Sequence, residues 1–389
     1  MRRVGLPFYL SLKEMWRNRG RFLLVGLVIA LITLLVLFIA ALGEGLGNGN
    51  REYLSRLDAQ LIVYQGHSDF LIGASRLSRD RVPAVRRVPG VADAGPLGTA
   101  AATLVLPGVA APLKVALLGV EPGHVGEPPV LAGRPLGSNS ADEVILDRNV
   151  ALRSGLKVGD DLTLRVTQGT QEETYHLRVV GLAGGQQYGL QPAIFVPFIT
   201  WDRVRPKAEA EVGRTDAVAN VILVRLAEPA QSAAVAQAVA ARLNNVEVAS
   251  IPKAIDALPG YSAQQSTLNT QAGFTLLIGV LVIGGFFQIQ ALQKVPQIGV
   301  LKAIGASNLT VAAASVAQIV LLTIIGVGLG SSATYLLSLT FPPTIPIVFN
   351  GQNSALAVLA LLAIGPIGGL VSVRYAVRIE PLRALGLSS

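Results

Sequence analysis

The sequence predicts a membrane protein with four transmembrane helices, one before and three after a mixed α/β domain that lies outside the cytoplasm. Charged residues make up only 14% of the chain and hydrophobic residues make up 51%, which is typical when lipid replaces water around part of a fold. The charges are also segregated, because every acidic residue except Glu14 and Glu380 lies between Glu44 and Asp256. A single water-soluble domain would not separate its charges in this way.

Three uncharged runs, 22–43, 257–293 and 303–373, supply the predicted membrane helices. The first is long enough as a helix to cross a hydrocarbon core of about 30 Å. The third is long enough for two helices, and the proline-rich segment 341–346 would separate them because proline cannot continue a helix. The predicted spans are 22–43, 268–293, 308–340 and 354–374.

Lysine and arginine in the short flanks set the orientation. Residues 1–21 are predicted to form a basic amphipathic helix at the inner membrane surface, the link 294–307 carries two lysines and no acid, and the tail 375–389 is net basic. Both termini and the link are therefore predicted to be cytoplasmic. The net charge of +8 follows from this topology and does not indicate nucleic-acid binding. Removal of 22–43 as a signal peptide is disfavoured, because its apolar core exceeds the usual length of about 7–15 residues.

The outer domain, predicted to span 44–262, has the alternating and β-branched runs of strands together with two helical patterns. The helices are predicted at 79–88 and 230–243, each leading into a short strand, which favours a domain of two lobes. Glycines 43, 45, 47 and 49 are predicted to fray the first helix where it leaves the membrane. The other predicted strands are 59–64, 103–106, 114–120, 143–146, 161–166, 175–182 and 220–226.

The motifs of a catalytic or nucleotide-binding chain are absent from the sequence. It has no G-x-x-x-x-G-K-[ST] phosphate loop, no H-E-x-x-H and no cysteine, so we predict no cofactor, no metal and no ATP bound by this chain. His67, His124 and His176 are scattered without metal-ligand spacing. The hypothesis of a membrane-anchored enzyme therefore lacks a set of catalytic residues. Detectable hydrolysis by the isolated outer domain would be needed to support it.

Polar and small residues within the spans are candidates for contacts between helices. Unpaired amides are costly in lipid, so Gln288, Gln290 and Gln318 are predicted to bond across helices or to face a dimer interface, with substrate contact as the alternative. G-x-x-x-G pairs begin at Gly45, Gly326 and Gly365, and each is a weak signal for close helix packing.

The cytoplasmic link, Lys294-Val-Pro-Gln-Ile-Gly-Val-Leu-Lys-Ala-Ile-Gly-Ala-Ser307, carries the most specific pattern. It resembles the EIGxLKAxGAS signature of permeases in the MacB and FtsX-like family, the type VII ABC transporters. Gln297 stands where an acidic residue is usual. By this resemblance, the residues that couple the permease to a separate ATPase subunit are Gln297, Ile298, Gly299, Leu301, Lys302, Ala303, Gly305, Ala306 and Ser307.

Other stretches extend the resemblance over most of the chain. The tail 378–385 resembles the family's P-x-x-A-L ending, and 82–91 resembles the lpGV element of the MacB-like extracytoplasmic domain. Residues 131–134 and 142–181 resemble its GR…VGD…VvG core. Within the family, the glycine-rich exit of the first span is more similar to the HrtB-like haem exporters and DevC-like permeases than to MacB.

The resemblance implies an ABC transporter permease in a bacterial inner or plasma membrane. It would form a homodimer with two copies of a separate ATPase, which would hold the ATP and Mg²⁺, and would export a hydrophobic or amphipathic substrate such as haem, a lipid or lipoprotein, or a drug. A membrane-fusion protein is a further partner that the family allows. The alternative is FtsX-like mechanotransmission to a partner such as a cell-wall hydrolase, which the large size of the outer domain disfavours.

Overall fold

A computed structural model describes residues 13, 15–106, 112–211, 217–341 and 347–378. They belong to two compact units, one comprising Met1–Gly45 and Gln265–Ser389 and the other Leu46–Gln264; we call them the membrane unit and the outer domain. Most of the predicted amphipathic segment 1–21 lies outside the described residues, as do residues 342–346 of the proline-rich segment and the tail from residue 379.

Four helices within the described residues are long and apolar enough to cross a membrane. One precedes the outer domain and three follow it, so the predicted fold class is confirmed. A short helix between the second and third, Val295–Ala303, is called the link helix. In chain order the four membrane helices are Arg19–Arg56, Tyr261–Gln293, Asn308–Ser338 and Gly351–Val377.

The first membrane helix contradicts one expectation, because it does not fray at its glycines but continues without a break to Arg56. The glycines are buried contact points: a Cβ on Gly43 would lie 3.1 Å from the Leu268 side chain, and one on Gly49 would lie 3.0 Å from Leu190. Tertiary packing therefore outweighs the low helix propensity of glycine in this segment.

Glycines also set the distances between helices in the membrane unit. A Cβ on Gly326 would lie 2.6 Å from Ile29 of the first helix, and one on Gly330 would lie 2.5 Å from the Ala30 carbonyl oxygen. A Cβ on Gly369 would lie 2.3 Å from Ile319 of the third helix. The G-x-x-x-G pairs beginning at Gly326 and Gly365 thus mark close helix packing.

One lobe of the outer domain is a four-stranded antiparallel sheet with two helices on one face. Its strands lie in the order β13-β1-β12-β3, which gives the βαββαβ arrangement of ferredoxin-like folds. Buried valines and leucines of the sheet pack against Val85, Val235 and Val239 of the helices. The elements are β1 (Leu61–Gln65), helix Val82–Arg86, β3 (Val91–Val105), β12 (Val221–Leu226), helix Ser232–Arg242 and β13 (Val246–Ser250).

The other lobe is a closed barrel that shares β3 with the sheet. Its strands pair in the order β3-β4-β10-β6-β8-β7, and β7 pairs back onto β3. The interior is apolar and includes Leu104, Leu117, Leu146 and Leu164. The remaining elements are β2 (Leu77–Ser78), β4 (Leu113–Val120), β5 (Val130–Gly133), β6 (Glu143–Asp147), β7 (Asp161–Gln168), β8 (Gln171–Ala183), β9 (Gln187–Tyr188), β10 (Gln191–Pro197), β11 (Val218–Ala219) and helices Arg148–Ser154, Phe198–Val204 and Ile251–Asp256.

The longest difference from the predicted elements is β3, which runs unbroken from Val91 to Val105 where the sequence indicated two short strands. The intervening Gly95, Pro96 and Gly98 are typical of turns. In the structure Gly98 lies beneath the Trp201 ring, and a Cβ there would be 2.4 Å from the indole. The missing side chain makes room for an aromatic residue that is distant in sequence, so the local pattern was misleading.

Candidate functional site

The link helix has well-defined ends. Pro296 occupies its first turn, where a missing N–H costs nothing because that group has no helical partner. At the other end Gly305 has a φ of 100°, and the Ala306 amide donates to the Leu301 carbonyl oxygen at 3.0 Å. Ser307 then begins the third membrane helix, its Oγ accepting from the Thr310 amide at 3.2 Å. Gly305, Ala306 and Ser307 therefore form the turn between two helices.

The inner face of the link helix packs against the membrane unit. Ile298 is buried and contacts Val311 of the third membrane helix, with Leu301 packed against the same pair. Gly299 is buried beside Ile298. These three signature residues hold the link helix in place and present little surface to another protein.

Two lysines join the link helix to other helices. Lys294, which immediately precedes it, donates through Nζ to Oε1 of Gln318 in the third membrane helix at 3.0 Å. Lys302, in its last turn, donates through Nζ to the Val377 carbonyl oxygen of the fourth membrane helix at 2.6 Å. Charge-assisted hydrogen bonds are stronger than neutral ones, so the link helix is attached to the third helix at its start and to the fourth at its end.

The outer face is apolar and open. Val300 is 49% exposed, Ile304 77% and Leu309 79%, and Gln297 and Ala303 are also exposed. The family pattern did not identify Val300, Ile304 or Leu309. Helical periodicity could have indicated Val300 and Ile304, because positions 297, 300 and 304 share a face of the helix from which Ile298 points away. We call Gln297, Val300, Ala303, Ile304 and Leu309 the outer face.

Of the three glutamines predicted in the spans, two are buried and Gln288 is half-buried. Gln290 and Gln318 are buried and, with Lys294, line a small cavity of about 20 Å³; that is roughly the room one water needs. Gln318 Nε2 and Gln288 Oε1 are buried atoms without a hydrogen-bond partner among the described residues. Gln318 thus bonds to Lys294 across helices, and a role in dimer or substrate contact stays a prediction for all three.

The titratable groups of the outer domain form structural ion pairs. Burial acts to raise the pKa of Asp93, but hydrogen bonds from His124 and from the Val125 amide, both at 2.9 Å, hold that pKa below the usual range. His176 lies 3.1 Å from the Thr163 hydroxyl. Within the described residues, no group of histidine, aspartate and glutamate side chains could hold a metal ion.

Comparison with known families assigns both parts of the chain. Residues 22–242 match the MacB-like periplasmic core domain, and residues 269–381 match the FtsX-like permease C-terminal domain. The two matches together cover most of the outer domain, the whole link helix and most of each membrane helix, and they leave out residues 243–268.

Full-length relatives are similar over nearly the whole chain. A candidate HrtB hemin transport system permease of Staphylococcus haemolyticus is 24% identical over 97% of this chain and 99% of its own. An uncharacterized ABC transporter permease of Mycobacterium tuberculosis is 27% identical over 95% and 97%. Among solved structures, the extracellular domain of the noncanonic ABC-type transporter YknZ from Gram-positive bacteria is 15% identical, covering 49% of this chain and 99% of its own with a TM-score of 0.36.

Proposed function

The chain belongs to the ABC transporter permeases that combine a MacB-like periplasmic core domain with an FtsX-like permease C-terminal domain, and from this membership we propose that its link helix receives a separate ATPase subunit. ATP and Mg²⁺ would be held by that subunit, and this chain would convert its movement into export of a hydrophobic or amphipathic substrate. The permease resides in the cell membrane, and both termini and the link helix are proposed to face the cytoplasm.

The outer face of the link helix is the observation that carries the proposal. Ile304 and Leu309 are each more than three-quarters exposed; they flank the tight turn at Gly305, with Leu309 in the first turn of the third membrane helix. Exposed apolar residues grouped on one small surface are typical of a protein contact. With no acidic residue in the link, contact with the ATPase would depend on apolar packing.

The lysine bonds supply a path for movement. A displacement of the link helix would reach the third membrane helix through Lys294 and Gln318, and the fourth through Lys302 and Val377. Rigid helices can carry such a displacement across the bilayer. In this proposal the outer face binds the ATPase, and the lysines transmit its motion.

A pair of matched substitutions tests the docking surface. Ile304→Asp places a carboxylate in the proposed contact, where an unpaired buried charge is costly, and we expect it to weaken association with the ATPase by about a hundredfold. Leu152→Asp is the control, because Leu152 is 72% exposed on the outer domain. Co-purification of the ATPase from membranes measures the effect. Equal recovery with both variants would contradict the docking role.

The homodimer is supported by the second membrane helix. In its most apolar stretch only 17% of residues are buried, compared with 50% in the first membrane helix. We propose that a second copy of the chain covers part of this surface, with two ATPase subunits beneath the pair. The absence of cysteine allows a direct test: single-cysteine variants at Leu277 or Leu281 should form disulfide-linked dimers on oxidation if the helices meet.

The relatives indicate the class of substrate only broadly. The HrtB relative is named for hemin transport, and haem is one candidate among lipids, lipoproteins and hydrophobic drugs. Haem can be distinguished from the other candidates by a growth test at toxic haem concentrations. The test compares a strain that lacks this chain with a strain that expresses it together with its ATPase. Protection by the wild type and its loss in Ile304→Asp would support haem export.

A further inference from the structure

The outer domain contains a cavity of about 570 Å³ that the ATPase site does not use. This volume lies within the range of small-molecule sites, about 300–1,000 Å³. Asn50 of the first membrane helix lines it, and so do Leu258 and Pro259, which shortly precede the second membrane helix. In the chain, the cavity is thus bordered by segments next to two membrane crossings.

Small residues on two strands make room for the cavity. Ala101 on β3 and Ala116 on β4 are directly paired, and both line it. Strand positions usually carry β-branched or aromatic residues, which pack on the pleated surface. A pair of facing alanines leaves that volume open.

The loop 66–75, which we call the wall loop, forms one side. Its ends are tied together, because the Gln65 amide donates to the Ser75 hydroxyl at 2.9 Å. Compact loops with joined ends are frequently functional. His67, Asp69 and Phe70 all have positive φ, with Phe70 at 57°; this strained conformation is rare for non-glycine residues and is concentrated at ligand clamps and active sites.

Phe70 is fixed from two directions where it borders the cavity. The Lys253 amine lies 4.0 Å from its ring centre, a cation–π contact, and the Tyr64 ring meets it edge-on at 5.6 Å. The strained loop therefore presents one aromatic ring in a defined position.

The lining is uncharged but not wholly apolar. Among the described residues that form it there is no aspartate, glutamate, lysine, arginine or histidine, and the polar groups are those of Asn50, Thr99, Tyr188 and Gln191. Burial raises the pKa of Tyr188 to about 12, so its hydroxyl stays neutral. A charged ligand would lose its hydration without a counter-charge, which is costly.

We propose that this cavity binds an uncharged, largely apolar small molecule that carries a hydrogen-bonding group, with Phe70 as the aromatic contact. The proposal extends the export function by naming where and in what charge state a substrate is first held, and it favours the uncharged candidates over haem, which carries two carboxylates. The proposal rests on the proposed function only where it identifies the bound ligand as the transported substrate.

The test uses the full chain in lipid nanodiscs without its ATPase. Because the chain has no cysteine, Ala101→Cys places one thiol in the cavity, and Ala132→Cys on exposed β5 is the control. The probes are 1-anilinonaphthalene, which is uncharged, and its sulfonate 8-anilinonaphthalene-1-sulfonate. Maleimide labelling of the cavity thiol should slow about tenfold when the uncharged probe is at ten times its dissociation constant, while the control thiol is unaffected.

Three outcomes would overturn the proposal: no slowing at position 101, equal slowing at both thiols, or equal slowing by the sulfonate. Filling the cavity with Ala116→Phe in the Ala101→Cys background should abolish protection. Ala74→Phe, at an exposed position of the lining, makes the same test should the first variant not fold. Because no ATPase is present, failure here leaves the docking experiment with Ile304→Asp unaffected.

Discussion

The outer domain buries its largest side chains completely, whereas the helices of the membrane unit approach one another closely at glycines. The largest fully buried side chains among the described residues, including Tyr53, Tyr64, Phe195 and Phe198, all lie in the outer domain. In the membrane unit, helices meet where glycines remove the side chain: a Cβ on Gly284 would lie 2.8 Å from the Gly368 carbonyl oxygen.

The difference follows from the solvent. Water drives large apolar side chains into the outer domain, but lipid is as apolar as leucine and gives helices no such reason to associate, so close backbone approach supplies the contact. The outer domain should therefore be most sensitive to removal of volume, and the membrane unit to addition of volume.

The largest expected effect is removal of Trp201. This ring is buried over Gly98 and Gly119 and stacks on Phe198 at 5.5 Å. Trp201→Ala should lower the free energy of unfolding of the outer domain by about 3–5 kcal/mol, measured by denaturation of the full chain followed by circular dichroism. Trp201→Phe should cost less, since the buried Nε1 has no partner among the described residues. Equal losses would show that ring volume is not what matters.

Added volume in the membrane unit should have the next largest effect. Gly326→Leu forces a side chain against Ile29 and should cost about 1–3 kcal/mol or more. Gly328→Leu, in the same helix, is the matched control, because nothing lies within 4 Å of a Cβ built there. The melting temperature of the detergent-purified protein measures both. A similar loss in the two variants would refute the packing role of Gly326.

The same contrast explains how much the sequence could predict. Membrane spans are encoded by long uncharged runs such as 22–43, and the strands around Leu117, Leu146 and Leu164 by alternation of apolar residues, so both were found. The continuous β3 and the unbroken first helix were not predicted. Gly98 and Gly43 are there because each packs against a residue that is distant in sequence. A local pattern has no access to such partners.

The candidate site shows the same limit. The family pattern located the link, yet its most specific residues, Ile298, Gly299 and Leu301, are those that hold the link helix against the membrane unit. The outer face, with Val300 and Ile304, is defined by which side of the helix is covered, and the position of Val311 decides that. The cavity of the outer domain was not predicted, because Ala101 and Ala116 become neighbours only through strand pairing.

Lys302 tests whether attachment and docking are separate functions of the link helix. Lys302→Met keeps the length of the side chain and removes the bond to the Val377 carbonyl oxygen. We expect the ATPase to co-purify normally while substrate-coupled ATP hydrolysis falls by about tenfold, since a hydrogen bond to a charged group is worth about 1.5–3 kcal/mol. Loss of co-purification would instead place Lys302 in the docking surface.

The smallest expected effect concerns Asp93 and acid. Burial opposes its ionisation, but His124 and the Val125 amide outweigh burial and lower its pKa in the folded state. A lowered pKa adds stability above the unfolded value, about 3.9, and that stability is lost as pH falls through the folded value. Unfolding of the outer domain by denaturant should therefore become easier below about pH 4, and Asp93→Asn should flatten this dependence. Asp161→Asn removes a carboxylate at an exposed strand position; it is the control and should leave the acid sensitivity unchanged.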